Sequence, residues 1–381
     1  GHRVVTCDYL PGNPGHALAD EYHNVSTTDK DAVLDLARRL RIDGILAFAS
    51  DPAAPTAAWV AEHMGLPGNP YQTVRMMSEK DLFRAFLQDH GFRCPAFRAY
   101  RSVREMHADP QRPPLPVMVK PVDSSGSKGV GRADRPDQLG PLFRKALPLS
   151  RAGRVIVEQC IDGHQLHGDG FVCDGKLVFS CLGDHQAAGA LNSSTLYPSR
   201  FPAGLIARIQ AETQRFLDLA GFRQGGINIE ARLDGDREPF HIIEIGPRNG
   251  GHFTPDIITH ATGFDFVSLS VDTCLGAPCT PAPLRPSPHP QGWFTNLVLY
   301  APRPGRYTGV QLSPELEPFL LEKHLYKHRG DQLGSGTTSQ TAVGTLLLKF
   351  GDRGQMERVI ARNRDFYRVD MEPAPRESID A

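Results

Sequence analysis

A short apolar run, Leu115 to Val119, ends on Lys120 and is followed by a loop containing Ser124, Ser125, Gly126, Ser127, Lys128, Gly129 and Gly131. The run reads as a buried strand. Glycine lets the backbone take positive φ and approach a ligand closely. Successive free N–H groups in such a turn form a concavity for anions, to which the hydroxyls and Lys128 add donors. A strand that carries a cation to the mouth of a glycine–serine loop has the make-up of a lid over nucleotide phosphates. No G-x-x-x-x-G-K-[ST] string occurs, so the loop is not of the Walker type. Taken alone, the same stretch also reads as a flexible surface loop, and its meaning rests on the rest of the chain.

At 381 residues the chain is long for one core, which points to two or three packed subdomains. Lys+Arg 42 against Asp+Glu 43 nearly cancel, which argues against a nucleic-acid or membrane-surface binder driven by net charge. The seven cysteines, Cys7, Cys94, Cys160, Cys173, Cys181, Cys274 and Cys279, are scattered with no CxxC pair, the pattern of a reduced, cytoplasmic chain. No signal peptide and no long apolar span is present, so the chain reads as soluble.

Residues 1 to about 75 alternate strand and helix, as in a doubly wound α/β unit. Arg3–Tyr9 and Gly44–Ser50 read as strands. Thr28 with Asp31 resembles a capping box opening a helix through Val33 and Leu40, and Ala54–Met64 reads as a helix stopped by Gly65. Because Gly1 and His2 lead straight into a strand, an upstream strand and glycine-containing turn are expected before them. Ligands of such sheets sit beyond the carboxyl ends of the strands, where Ser50, Asp51 and Thr56 fall. The plainer reading is that Ser50 or Asp51 caps the following helix.

Ser78–Gly91 reads as a helix capped by Ser78 and Asp81, with a buried stripe of Leu82, Phe83, Phe86 and Leu87. Lys80 lies in its first turn, where a cation opposes the helix dipole and a bound phosphate would offset that cost. Arg154–Gly163 is a strand carrying Glu158 near its end. A hinge of this kind reads an adenine through main-chain groups while a carboxylate accepts from the exocyclic amine. Gly168–Leu182 reads as a hairpin turning at Asp174-Gly175. His164, His167 and Asp169 lack a standard zinc spacing and a cysteine partner, so they read as non-metal residues.

After a helix at Gly204–Phe222, two apolar strands bring one glutamate each, Glu230 and Glu244. Buried carboxylates without partners are costly, and two in adjacent strands ask for a cation. Hard oxygen ligands that leave room for phosphate oxygens suit Mg²⁺, or Mn²⁺ in its place. Arg248, followed by Asn249-Gly250-Gly251, has the reach to clamp a transferring phosphoryl group. A plain Glu–Arg ion pair would account for Arg248 and one glutamate but not the second. Beyond Cys279 a proline-rich stretch to Pro290 reads as a linker. WFTNLVLYAP and VGTLLLKF read as strands, and Phe319–Arg329 as a helix with solvated His324 and His328.

The order of these parts (Lys80, VMVKP with SSGSKGVG, VIVEQCIDG, INIE, IIEIGPRNGG) resembles the ATP-grasp enzymes over roughly residues 1 to 275. The tail is similar to the closing domain of their carboxylate–amine ligase branch, which includes amino-acid ligases and the carbamoyl-phosphate synthase large subunit. The resemblance implies α/β and α+β architecture: a pre-ATP-grasp domain over 1–75, a small ATP-grasp subdomain over 76–160, a large one over 161–280 and a C-terminal domain over 281–381. It implies that Lys80 and Lys120 contact ATP phosphates and that Ser124, Ser125, Gly126, Ser127 and Gly129 fold over them. Glu158, Gln159 and Ile161 would form the adenine hinge, Glu230 and Glu244 would bind Mg²⁺, and Arg248 would stabilise an acyl phosphate. Asp51, Thr56, His185, Asn249 and Gly250 are the candidates for substrate contact, with Ala187–Ser194 beside His185.

Two positions depart from the family pattern. Gln165 stands where an acidic residue usually meets the ribose, and an amide can still hydrogen-bond a hydroxyl there. Gly246 replaces the asparagine of E-x-N-x-R, which removes one metal ligand and leaves the number of ions in doubt, although some amino-acid ligases carry that glycine. The activity implied is ATP-dependent joining of a carboxylate to an amine, with release of ADP and phosphate. The rivals are a bicarbonate-dependent carboxylase of the same fold and a nucleotide-binding module without catalysis. The partners implied are small molecules and, as often in the family, a second copy of the chain.

Overall fold

The computed structural model describes residues 1–188, 191–235, 237–279, 292–334 and 341–372. The proline-rich linker expected up to Pro290 lies outside the described residues, as do Gly189 and Ala190 of the segment beside His185.

The chain opens with a parallel pair, β1 (Val5–Cys7) and β2 (Glu21–His23), packed with α1 (Lys30–Leu40) and α2 (Ala54–Met64). Val33, Leu34 and Ala37 of α1 meet Val60 of α2 in a small core. Asp29, not a Thr28–Asp31 box, caps α1 by accepting from the Ala32 N–H at 3.1 Å. Gly65 ends α2 in the left-handed region, φ 66°. The expected strand at Gly44–Ser50 is absent. Its backbone is used elsewhere: the Phe48 carbonyl accepts from the Asn249 N–H at 2.9 Å. A Cβ at Gly44 would lie 2.5 Å from the Cys274 carbonyl oxygen, so the segment passes against another part of the chain where a ladder would not fit.

Next come α3 (Tyr71–Ser78) and α4 (Lys80–Asp89). Ser78 does not cap α4; its hydroxyl donates back to Val74 within α3 at 2.8 Å. Asp81 is drawn to Arg154 instead. A four-stranded sheet follows, from β3 (Phe97–Tyr100), α5 (Val103–Ala108), β4 (Val117–Pro121), β5 (Gly131–Ala133), α6 (Pro136–Ala146) and β6 (Val155–Gln159). Its strand order is β3-β6-β4-β5. Alternation along β4 sends Val117 and Val119 into a core with Leu139, Phe143, Val155 and Val157, and turns Lys120 to the other face.

The largest sheet begins with β7 (Gln165–Cys173), β8 (Lys176–Ala188) and β9 (Leu191–Tyr197). The first turn falls at Asp174 and Gly175, both with positive φ, as a tight hairpin requires. After α7 (Ala203–Ala220) come β10 (Gly225–Asp234), β11 (Arg237–Gly246), α8 (Thr254–Thr262) and α9 (Phe266–Cys274). One face packs on α7 through Leu166, Val172, Ile227, Ile229, Ile209 and Phe216. On the other, Phe171 and Phe179 meet Ile257, Ile258 and Phe266.

The remaining elements are β12 (Trp293–Tyr300), β13 (Gly305–Leu312), β14 (Leu320–Leu325), β15 (Gln332–Leu333), β16 (Ala342–Phe350), α10 (Arg353–Ala361) and β17 (Tyr367–Glu372). β12, β16 and β14 extend the large sheet beyond β9, giving eight strands in the order β11-β10-β7-β8-β9-β12-β16-β14. The stretch expected to be helical at Phe319–Arg329 is therefore an edge strand, paired antiparallel with β16. Of its histidines, His328 is exposed as expected, whereas His324 lies 2.7 Å from Glu322 and stacks on Phe253. Cys173 and Cys279 form a disulfide across 106 residues, which corrects the reading of every cysteine as reduced. Among the described residues, no helix is long and apolar enough to cross a membrane.

Candidate active site

β10 and β11 run antiparallel with Glu230 directly opposite Glu244. Burial and the neighbouring Glu230 charge push the Glu244 carboxyl up from its ordinary value, against the pull of Lys80 and Arg248. Gln165 donates to Glu230 at 2.9 Å and accepts from Arg232, so it serves the carboxylate pair as it stands. Two facing carboxylates, one of them raised by the other, are a donor set that a hard divalent cation would satisfy. Gly246 offers no ligand, and no group of three or more metal-ligating side chains occurs among the described residues. The residues present thus fit an ion completed by ligand oxygens.

Opposite the pair lies the glycine–serine loop. Gly126, Ser127 and Gly129 have φ of 63°, 58° and 73°, the left-handed backbone expected of an anion-cradling turn. Lys80 ties the loop's base to α4 by donating to the Ser124 carbonyl at 2.9 Å. A cleft of about 150 Å³ is lined by Lys80, Ser124, Asp51, Thr56, Arg151 and Glu244, among others. Asp51, Thr56, Lys80, Ser124 and Glu244, each picked from the sequence, therefore share one cavity.

Glu158 does not stand free for an adenine amine. One of its oxygens accepts from Lys120 and the other from Arg84 at 3.1 Å, and the carboxylate is 2 % exposed. Burial would raise its pKa, but the Arg84 and Lys120 charges outweigh it and hold it at about 2. Lys120 is thus positioned by Glu158, and Arg84, 1 % exposed, is a site residue that sequence reasoning missed. Arg84 sits in a helix whose apolar stripe gave it no role, and only the fold reveals its partner 74 residues away. Gln159 follows at the exposed end of β6, and the Ile161 carbonyl accepts from Arg232 at 3.2 Å.

Arg248 joins the two halves of the site. Its Nε donates to Asp51 at 2.5 Å, and its guanidinium stands 3.7 Å from Glu244. Asp51 caps nothing: α2 has no side-chain cap, and Asp51 is held below the usual carboxylate range because the Arg248 charge and hydrogen bond outweigh burial. Asn249 and Gly250 follow, and Gly250 donates its N–H to both oxygens of buried Asp169, at 2.9 and 2.8 Å. A Cβ at Gly250 would meet Asp169, Thr254 and Asn228 at 2.8–2.9 Å, so the loop tolerates only glycine there. Asp169 also accepts from Asn228 at 2.7 Å. Its sequence signal was a lone carboxylate inside an apolar strand. His164, the third residue of that set, lies by Arg200.

With this geometry in place, residues 113–256 match the family model of the ATP-grasp domain. That match gives the chain an ATP-grasp domain over those residues, within a fold of mixed α/β class. Among curated proteins it is 29 % identical over 296 residues to phosphoribosylamine–glycine ligase of Ralstonia nicotianae, covering 71 % of this chain and 69 % of that one. It is 26 % identical over 313 residues to carnosine synthase 1 of Gallus gallus, covering 74 % of this chain and 32 % of that one. Among solved structures, an L-amino acid ligase from Bacillus licheniformis superposes with a TM-score of 0.81 at 21 % identity. That superposition covers 97 % of this chain and 93 % of the other, and shows a shared fold.

Proposed function

We propose that the protein is an ATP-dependent ligase that joins a carboxylate, on an amino acid or a related small acid, to an amine through an acyl phosphate. The observation that carries this reading is the meeting of Lys80, Ser124, Asp51 and Glu244 around one cleft, with Arg248 bridging Asp51 and Glu244. Lys80, Lys120 and the Ser124–Gly129 backbone bind the phosphates of ATP, while main-chain groups of Gln159 and Ile161 receive the adenine and Gln165 the ribose. Glu230 and Glu244 would hold Mg²⁺, which when bound neutralises phosphate charge.

Arg248 balances the charge that builds as the γ-phosphoryl passes to the carboxylate oxygen. The amine then forms the C–N bond, the C–O bond to phosphate breaks, and phosphate leaves. Positioning and charge neutralisation suffice for this chemistry. The reading agrees with relatives named as a ligase of an amine and glycine and as an amino acid ligase.

The test is release of ADP and phosphate with Mg²⁺ across amino acids supplied singly and in pairs, with labelled bicarbonate as a separate arm. Release that requires two amino acids supports the ligase. Label fixed from bicarbonate would replace it with a carboxylase, and ATP binding with no release under any acceptor would leave a silent module.

A further inference from the structure

The cleft that holds Lys80 and Glu244 has further cations on its wall. It is also lined by Thr28, just before α1, by Lys30 at the start of α1, and by Tyr71 and Arg75 of α3. Lys30 is held there by two rings. Its Nζ lies 3.9 Å from the centroid of the Trp59 ring of α2 and 5.7 Å from that of Tyr71, and the two rings meet edge to face at 5.1 Å. Aromatic faces attract an ammonium through their quadrupoles, and its N–H groups stay available to an anion. Lys30 forms no ion pair among the described residues.

Arg75 stands one helical turn beyond Tyr71, so the two share a face of α3. Its Nε donates to Glu79 at 2.7 Å, and its terminal N–H groups make no hydrogen bond among the described residues. The carboxylates of the cleft are meanwhile matched. Asp51 and Glu244 meet Arg248, and Glu79 meets Arg75 and Arg154. Asp123 accepts from the Ser150 hydroxyl and the Ala152 N–H, both at 2.8 Å, and Arg151 donates to the Asp123 carbonyl. Lys80 donates to Ser124 and, on the ligase reading, to phosphate. The cation left over is Lys30, with the unspent donors of Arg75 on the other side of Tyr71.

We propose that Lys30 and Arg75 form a subsite for a second anionic group on the acid substrate, which carries a carboxylate or a phosphate besides the carboxylate that reacts. The inference rests on the ligase reading and narrows it. The reacting carboxylate lies toward Arg248 and Glu244, and the second group lies against Lys30 and Arg75 in the same cleft of about 150 Å³. Charge-assisted hydrogen bonds from an ammonium and a guanidinium suit either anion. An acid without that group leaves these donors unmatched, and a site built to bind a polar group discriminates against the analogue that lacks it.

The experiment supplies the full chain with MgATP and excess hydroxylamine, which traps an acyl phosphate as a hydroxamate whatever the natural amine. Aspartate, glutamate and O-phosphoserine are compared as acids with alanine and leucine. At least one of the anionic acids should exceed the neutral ones in kcat/KM by about tenfold, the worth of one charge-assisted hydrogen bond. Whether it is a dicarboxylate or phosphoserine identifies the second group. Lys30→Met and Arg75→Met should each lose about tenfold for that acid, chiefly through KM, and an unaltered affinity for MgATP shows that the variants are folded. Neutral acids used as well as the anionic ones, or variants that slow both kinds alike, would overturn the subsite and leave the ligase reading standing. Absence of hydroxamate from the unmodified protein with every acid would overturn both.

Discussion

Glu230 and Glu244 face each other across β10 and β11, so two carboxylates share one side of a strand pair. Directly opposed like charges oppose pairing, and here burial, together with the Glu230 charge, raises Glu244. On the proposed ligase reading, a cation and bound phosphates would resolve it. Removing one charge should therefore relieve the free protein while disabling the loaded one. Glu244→Gln is expected to melt no lower than the unmodified chain, to lose the stabilisation that MgATP gives, and to release no ADP. Thermal melting with and without MgATP, alongside ADP release, checks this. Near-normal turnover would remove the metal assignment.

Arg84 and Lys120 hold the buried Glu158 carboxylate at about 2, below its ordinary 4.5. A depressed carboxylate stabilises the fold fully above its unfolded value, and that contribution is lost as pH falls toward 2. A shift of this size is worth about 3 kcal/mol. Arg84→Met leaves the charge buried with one partner fewer, a change that typically costs about 3–5 kcal/mol. Urea denaturation should show the full deficit at neutral pH and a gap that narrows as pH falls from 4.5 toward 2, the window in which the unmodified protein loses this contribution. A gap that stays constant with pH would mean that Arg84 acts by packing alone.

Gly226 lies beneath the Arg248 loop, and a Cβ there would fall 1.9 Å from the Asn249 side-chain oxygen. Gly226→Ala should displace that loop, lowering stability by about 1–3 kcal/mol and depressing turnover more than ATP affinity. Gly204, in the first turn of α7, has open space around it. Its replacement by alanine should gain about 0.5–1 kcal/mol and leave turnover alone. Equal effects at both positions would sink the argument from close approach.

Several parts of the site were legible without coordinates because their signals are local. The apolar run ending in VMVKP signalled the strand β4, and the glycine–serine run after it signalled positive φ. Two glutamates in apolar strands stood out as a pair, and the register of β10 and β11 sets them opposite each other. The helices α1, α2 and α7 were readable from their apolar spacing, and α2 and α7 also from their closing glycines, since helical periodicity is set by neighbours a few residues away.

What escaped was set by distant partners. Gly44–Ser50 has the composition of a strand, but its backbone is spent on Asn249. Leu320–Leu325 carries mixed polarity that suits helix or edge strand equally, and β16 decides between them. Asp51 had the position of a helix cap and became the partner of Arg248, 197 residues away. By itself the sequence determined the residue types, most of the elements and the chemistry they can perform. Only the tertiary structure decided which charge meets which, because an ion pair depends on distances in space, and those are fixed when the sheets and helices pack.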